Sequence, residues 1–248
     1  MDPPVFLTAR WLDLAMLSYE ADPALLAPRV PPGTELDRFQ GKLYVSMVGF
    51  RFHDTRVRGI SIPGHRRFEE VNLRFYVRRE ANGESRRGVC FVKEIVPRRA
   101  IAWVARRFYN ENYVRFPMRH RKTVHASGAE ASYEWRVGER WNELSVKAAG
   151  PAERPPEGSL ALFITEHTWG YARRRDGGTL EYRVDHPPWR VRRAGSSLLR
   201  CDAEALYGPG FASILAGPPA SAFLADGSAV AVRRGVRLDT DETAEPSE

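Results

Sequence analysis

The chain is poor in cysteine and lysine and has no long uninterrupted apolar run. Its 248 residues include two cysteines, Cys90 and Cys201, too far apart in sequence to suggest a metal site or a disulfide framework. Only four of its 38 basic residues are lysine. Residues 205–225 are uncharged and approach the length of a membrane helix, but three glycines and three prolines interrupt them. We therefore predict no membrane span.

Several catalytic and targeting signatures are also missing. The sequence contains no Gly-rich phosphate loop, no nucleophile elbow and no metal-spaced cysteine set. We accordingly predict neither a metal nor a cofactor. The first four residues, Met1-Asp2-Pro3-Pro4, lack the basic and apolar regions of a signal peptide. Together with reduced cysteines, this pattern leads us to expect a cytoplasmic protein.

The charge is strongly positive but dispersed. The net charge is +7, although residues 239–248 hold five acids and no base. Arginine doublets recur along the chain, and phosphate neutralisation by such a surface would favour nucleic-acid binding. The doublets are scattered over predicted turns and strand ends, however, so we regard a nucleic-acid partner as the weaker interpretation. We predict a domain over residues 1–238 and a disordered acidic tail over 239–248.

Strand patterns dominate the predicted domain. An Asp22-Pro23 step opens one short helix, and apolar spacing predicts two others at about residues 98–109 and 159–166. The remaining segments alternate apolar and polar residues and are joined by short turns, with no repeat and no long linker. This pattern predicts one α+β domain with a large, curved, mainly antiparallel sheet.

The first candidate site lies on one predicted strand, residues 68–79. Glu70, Asn72 and Arg74 share one face of it, and apolar residues alternate with them on the other. Inside an enclosed sheet, these three side chains would be ligand-binding or acid/base groups. On an open sheet they would form a solvated ladder.

The second candidate site is the run of residues 110–120. Polar groups and Tyr113 lead into a Phe116-Pro117 step, followed by Met118, Arg119 and His120. A histidine titrates near neutrality and could serve as an acid or a base, but a lone histidine more often has a structural role. His120 and His125 would lie on opposite faces of a strand, which argues against a metal site.

The third candidate comprises two short segments. Thr165-Glu166-His167 lies near a predicted helix end, where a glutamate opposes the helix dipole and suggests an arginine partner or a function. The second segment is Asp185-His186-Pro187-Pro188-Trp189, a composition that also occurs in ordinary hydrophobic corners. The roles of Glu166 and His186 stay open at this stage.

Four sequence blocks together resemble a known family. They are Phe68 to Arg74, Phe116 to His120, Phe163 to Glu166 and His186 to Trp189, and their order and spacing are similar to those of the YqjF-like family over nearly the whole chain. That uncharacterised bacterial family belongs to the acetoacetate decarboxylase-like superfamily. The resemblance implies a cone-shaped, largely antiparallel β-barrel with helices outside and a central cavity.

The resemblance also implies which residues face the cavity. In the decarboxylases a glutamate on the strand matching residues 68–75 lines the cavity, and Glu70 fits that position. Their Schiff-base lysine directly follows an aromatic-Pro step and precedes a second lysine that lowers its pKa. Here the two positions are Met118 and Arg119. Methionine cannot form an imine, so lysine-dependent decarboxylation is not expected.

We therefore predict a cavity that binds a small anionic molecule, a carboxylate or an oxo-acid. Arg119, together with Arg74, would hold the carboxylate. Glu70 and His120 would be the catalytic acid/base pair, and Asn72, Tyr113 and Met118 would complete the binding site. Alternatives are a lyase, hydratase or isomerase using Glu70 and His120, and a non-enzymatic ligand sensor or nucleic-acid-associated protein. Association into a homo-oligomer is left open.

Overall fold

A computed structural model of the chain describes residues 2–98 and 112–238. Within them, long strands dominate and helices are short. The strands are β1 (Val5–Ala21), β2 (Glu35–Leu36), β3 (Leu43–Val57), β4 (Phe68–Ala81), β5 (Glu84–Val96), β6 (Tyr113–Arg115), β7 (Met118–His125), β8 (Gly128–Val137), β9 (Arg140–Ala149), β10 (Trp169–Arg173), β11 (Thr179–Asp185), β12 (Val191–Arg200), β13 (Ser221–Arg233) and β14 (Val236–Leu238). The helices are α1 (Pro23–Leu26), α2 (Leu160–Thr165), α3 (Ala203–Tyr207) and α4 (Pro209–Leu215).

Side-chain caps explain where the helices begin. The Asp22 carboxylate accepts a hydrogen bond from the Ala24 amide at 2.8 Å, and Pro23 supplies the fixed φ of the first helical position. Ser159 caps α2 in the same way, accepting from the Leu162 amide at 3.2 Å. The predicted helix at about residues 98–109 lies almost entirely outside the described residues, and the predicted tail, 239–248, lies wholly outside them.

The strands form a mainly antiparallel sheet, as predicted, and part of it returns on itself. Successive pairings run β13-β1-β3-β4-β5-β10-β11, and β11 also pairs with β13 through Val184↔Val232 and Asp185↔Ala231. We call these seven strands the ring. Its one parallel pairing joins β5 to β10, and all its others are antiparallel. The ring gives the sheet an inner and an outer face.

A second run of strands continues from the ring. From β13 the pairing proceeds through β12, β9 and β8 to β7. Buried side chains of β8, including Tyr133 and Trp135, pack with the outward-facing Val71, Leu73 and Phe75 of β4 in one large core. Burial of such a continuous apolar layer drives the two parts of the sheet together.

One glycine permits the close approach of the second run. A Cβ atom on Gly49 of β3 would lie 2.6 Å from Cδ2 of the Tyr133 ring. Such a distance is far inside van der Waals contact, so the position requires glycine unless the ring moves.

The apolar stretch at residues 205–225 forms the end of α3, all of α4 and the start of β13. Among residues 2–98 and 112–238, no helix has both the length and the apolar character to cross a membrane.

Candidate functional site

The strands of the ring line a cavity with a volume of about 170 Å³. A buried water needs roughly 10–15 Å³, so the space admits a small organic molecule. Every ring strand contributes to the wall, which is mostly apolar and includes the aromatic side chains Phe6, Trp11, Phe50, Phe52, Phe68, Phe91, Tyr182 and Trp189. Because such a wall provides a low dielectric, polar groups within it interact strongly with a bound ligand.

Strand β4 supplies the polar side of the cavity. Glu70, Asn72 and Arg74 all line it and are buried, with exposed fractions of 2%, 1% and 8%. The pairing with β5 shifts register between Leu73 and Arg74. A β-bulge of this kind changes the direction of a side chain, and bulges are frequent beside functional sites. The structure therefore brings together the three polar residues that alternation along β4 grouped.

Glu70 is held by two hydrogen bonds. Asn72 Nδ2 donates to Glu70 Oε1 at 3.0 Å, and the Tyr113 hydroxyl donates to Oε2 at 3.1 Å. Burial raises the pKa of Glu70 to about 7, against the opposing effect of these two hydrogen bonds. Burial, followed by the charges of Glu70 and Glu94, holds the pKa of Tyr113 well above its ordinary value. Glu70 can thus gain or lose a proton near neutrality, as an acid or base must.

Arg74 is a buried cation. Its Nη2 lies 4.0 Å from Met16 Sδ, and its guanidinium carbon lies 5.7 Å from the centroid of the Tyr76 ring. No carboxylate of the described residues forms an ion pair with it, and its Nε has no hydrogen-bond acceptor among them. A buried charge without a carboxylate in direct contact is unfavourable, so this position favours an anionic ligand.

Two histidines also line the cavity. His167 follows α2, and its Nε2 lies 3.1 Å from Asp37 Oδ2. Burial lowers the pKa of His167 to about 4 and lowers that of His186 as well. His186 follows β11 and stacks on Trp189, with 4.3 Å between ring centroids. The sequence singled out both segments without assigning a role to either histidine.

Glu166 and Glu94 have contrasting positions. Glu166 does not line the cavity; its Oε1 lies 3.8 Å from Arg154 Nη2, so the helix-end glutamate has an arginine partner. Glu94 is buried, lines the cavity and is opposite Asn72 in the β4–β5 register. Glu94 is not among the residues predicted for the site, although an acidic residue within the mainly apolar end of β5 is a detectable signal.

The structure corrects the predicted position of Met118, Arg119 and His120, none of which is among the described residues lining the cavity. Met118 packs against the large core on the outer face of the ring. The Arg119 side chain is 59% exposed, pairs with Glu134 at 2.6 Å and lies over a tryptophan ring. The reason is that β7 pairs with β8 in the second run and does not join the ring.

His120 instead joins a polar network between the ring and the second run. Its Nδ1 lies 2.6 Å from Glu69 Oε1 and its Nε2 lies 3.3 Å from Arg51 Nη1. The buried Asp13 carboxylate pairs with both Arg51 and Lys122. Burial opposes ionisation of Glu69, but the hydrogen bond with His120, a backbone hydrogen bond and nearby positive charges together outweigh it, and the pKa of Glu69 is lowered. These contacts fasten β7 to β1, β3 and β4.

The four lysines of the chain are all described, and none of them lines the cavity. Lys93 donates to the Leu206 carbonyl, and the other three pair with carboxylates: Lys42 with Glu20, Lys122 with Asp13, and Lys147 with Glu130. The cavity wall formed by residues 2–98 and 112–238 therefore offers no lysine amine for imine formation. In the same residues, no group of three or more histidine, cysteine or acidic side chains is arranged to hold a metal ion.

Comparisons with known proteins identify relatives in sequence and fold. The family DUF2071, described as an uncharacterized conserved protein, matches residues 8–229. The uncharacterized protein YqjF of Bacillus subtilis (strain 168) is 28% identical over 196 residues, which cover 76% of each chain.

Solved structures with this fold include two enzymes. Acetoacetate decarboxylase from Legionella pneumophila subsp. pneumophila str. Philadelphia 1 aligns with a TM-score of 0.66 and 15% identity, covering 96% of this chain and 90% of that one. The enduracididine biosynthesis enzyme MppR, complexed with pyruvate, aligns with a TM-score of 0.65 and 14% identity, covering 97% and 92%. At these identities, the likeness shows an acetoacetate decarboxylase-like fold and nothing about activity.

Proposed function

The chain belongs to the DUF2071 family, and we propose that it binds a small carboxylate or oxo-acid in the cavity of an acetoacetate decarboxylase-like, cone-shaped barrel. The continuous pairing of the seven ring strands supports the barrel. MppR, which shares this fold, has been solved in complex with pyruvate, an oxo-acid of the proposed class. A cytoplasmic location is part of the proposal, and the lack of a disulfide at Cys90 and Cys201 among the described residues is in keeping with a reducing compartment.

The observation that carries the proposal is the buried guanidinium of Arg74. A ligand carboxylate would supply the missing counterion, and its planar geometry suits the two parallel hydrogen bonds that guanidinium can donate. Desolvation by the aromatic wall would strengthen that pairing. Asn72 and Tyr113, which orient Glu70, would then contact the remainder of the ligand.

A second candidate is catalysis of proton transfer on the bound oxo-acid, in a lyase, hydratase or isomerase. The specific observation in its favour is Glu70, whose pKa of about 7 gives it useful populations of both protonation states. Glu70 would take a proton from the ligand or deliver one to it, while Arg74 stabilised the carboxylate or enolate. Imine chemistry is no part of this candidate, since no lysine lines the described cavity wall.

A panel of small carboxylates and their uncharged amides tests the binding proposal. A ligand that binds only the folded protein raises its apparent thermal stability, so carboxylates should raise the melting temperature and the amides should not. Arg74→Met should abolish the shift. Arg119→Met is the matched control, because Arg119 is an exposed arginine outside the cavity lining, and this variant should respond like the wild type.

Two outcomes would contradict the proposal. The first is a panel in which no carboxylate stabilises the protein. The second is a carboxylate response that survives in Arg74→Met and disappears in Arg119→Met. That second result would locate the anion-binding site at Arg119 on β7.

A further inference from the structure

Asp37 fixes the tautomer of His167. Its buried carboxylate accepts from Arg87 Nε at 2.7 Å and faces His167 Nε2 at 3.1 Å. Burial opposes ionisation of Asp37, but the hydrogen bonds from His167 and Arg87 prevail and its pKa is lowered. An ionised carboxylate can only accept hydrogen bonds, so Nε2 carries the proton.

The other ring nitrogen, Nδ1, is therefore an acceptor. A pKa of about 4, lowered by burial, leaves the ring neutral near pH 7, with one proton that is already on Nε2. Nδ1 is buried and has no hydrogen-bond donor among the described residues. The nearby Thr165 hydroxyl does not serve it, because that hydroxyl donates to the backbone of α2 at Ala161 or Leu162. A buried acceptor left unpaired is unfavourable, and in native proteins it calls for a partner.

His167 and Arg74 share a neighbouring side chain. Both residues line the cavity, and both lie against the ring of Tyr76. The His167 ring is 4.7 Å from the Tyr76 centroid, and the Arg74 guanidinium carbon is 5.7 Å from it. The charge of Arg74 also contributes to the lowered pKa of His167. A rigid acceptor and the cation that would bind the ligand carboxylate therefore line the same cavity.

We propose that Nδ1 of His167 accepts a hydrogen bond from a hydroxyl group of the ligand, so that the cavity selects small hydroxy acids over carboxylates without a hydroxyl. The selection rests on the proposed function, because it requires the carboxylate to bind Arg74. His167 acts here as an acceptor that determines specificity. Asp37 and Arg87 are the positioning residues that hold its ring. Phe163, at 4.8 Å between ring centroids, supports the ring from another side.

Matched ligand pairs that differ by one hydroxyl test this selection. Suitable pairs are lactate with propionate, 3-hydroxybutyrate with butyrate, and malate with succinate, each titrated calorimetrically. For the pair whose size fits the cavity, the wild type should bind the hydroxy acid about tenfold more tightly than the acid without the hydroxyl. That ratio is the effect of one additional hydrogen bond in a buried site. His167→Phe should reduce that ratio to about one without weakening the hydroxyl-free acid. His125→Phe, at an exposed histidine outside the cavity lining, should keep the wild-type ratio.

The other outcomes distinguish failure of the hydroxyl selection from failure of the proposed function. If carboxylates bind through Arg74 but hydroxyl groups make no difference, the selection is wrong and the proposed function stands. If no carboxylate binds, both fail together. If His167→Phe does not fold, ¹⁵N NMR of the wild-type imidazoles decides the matter. The free protein should show protonated Nε2 and unprotonated Nδ1 at His167, with the Nδ1 resonance moving on addition of the hydroxy acid. A protonated Nδ1, or an unchanged resonance at saturation, would overturn the proposal.

Discussion

Glu70 is the side chain whose burial has the clearest consequence for stability. Its pKa is raised by burial from 4.5 to about 7. Between those two values the folded protein keeps a proton that the unfolded chain has released, so the folded state loses stability as pH rises. The full difference is about 3 kcal/mol in the free energy of unfolding.

Glu70→Gln removes this titration. The stability of the variant relative to the wild type should rise by about 3 kcal/mol between pH 4.5 and pH 8, measured by urea denaturation at several pH values. Glu157→Gln, at an exposed carboxylate, should show no comparable trend. If the free energies of unfolding of the wild type and of Glu70→Gln change in parallel over this pH range, the raised pKa of Glu70 is refuted.

Arg74 is expected to promote ligand binding at the expense of the stability of the folded protein. Its guanidinium is buried without an ion-pair partner among the described residues, and burying an unpaired charge disfavours folding. Arg74→Met keeps most of the apolar side-chain length and removes the charge. We expect a ligand-free variant at least as stable as the wild type in urea, and no carboxylate binding. A variant destabilised by several kcal/mol would mean that Arg74 serves the fold.

At the residue scale, the sequence grouped three side chains that line the cavity, whereas three other predicted residues, Met118, Arg119 and His120, lie outside the described lining. Alternation along a strand places Glu70, Asn72 and Arg74 on one face with no further information. The resemblance assigns Met118, Arg119 and His120 to the cavity, and alternation cannot correct this because it does not show which partner strand a segment joins. His167 could not be assigned either, because its role depends on Asp37, 130 residues away in sequence.

At the scale of elements, the strand predicted over residues 68–79 corresponds to β4, because apolar and polar residues alternate along most of its length. The bulge in β5 at Val92, opposite Leu73 and Arg74 of β4, was not predicted, because it arises from the pairing of two strands. The packing of the second run on the ring was not predicted either. It depends on Gly49 meeting Tyr133, a contact between elements distant in sequence.

Gly49→Ala tests that contact between elements. The added methyl would overlap the Tyr133 ring, and overpacking of this kind destabilises by about 1–3 kcal/mol. Gly195→Ala in β12 is the matched control, because its nearest neighbour would be the Lys147 carbonyl oxygen at 3.8 Å. Urea denaturation should show a loss for Gly49→Ala and little change for Gly195→Ala. Equal effects would mean that the close approach is not required.

At the scale of the whole molecule, the resemblance predicted the decarboxylase-like fold, and the match to DUF2071 and the solved structures bears it out. Composition and periodicity alone predicted only a curved antiparallel sheet. Two residue pairs between β11 and β13 connect the ends of the ring, and no local sequence pattern predicts this pairing. The cavity exists only because of that return, so its contents could not be read from single strands.

The absence of a cavity lysine leads to a chemical prediction for the whole protein. Borohydride traps the imine of a lysine-dependent decarboxylase as a stable amine. Treatment of this protein with acetoacetate and borohydride should leave its mass unchanged, whereas a lysine-dependent decarboxylase treated in parallel gains the adduct. All four lysines of the chain lie outside the described cavity lining. A stoichiometric adduct on any of them would contradict the account.

The location of a bound carboxylate is the most direct test of the central claim. A crystal structure with the tightest-binding carboxylate of the panel should show the ligand inside the ring. Its carboxylate oxygens should lie within hydrogen-bond distance, about 3 Å, of the Arg74 guanidinium. A ligand bound at Arg119 on β7, or a cavity holding only water at saturating carboxylate, would contradict it.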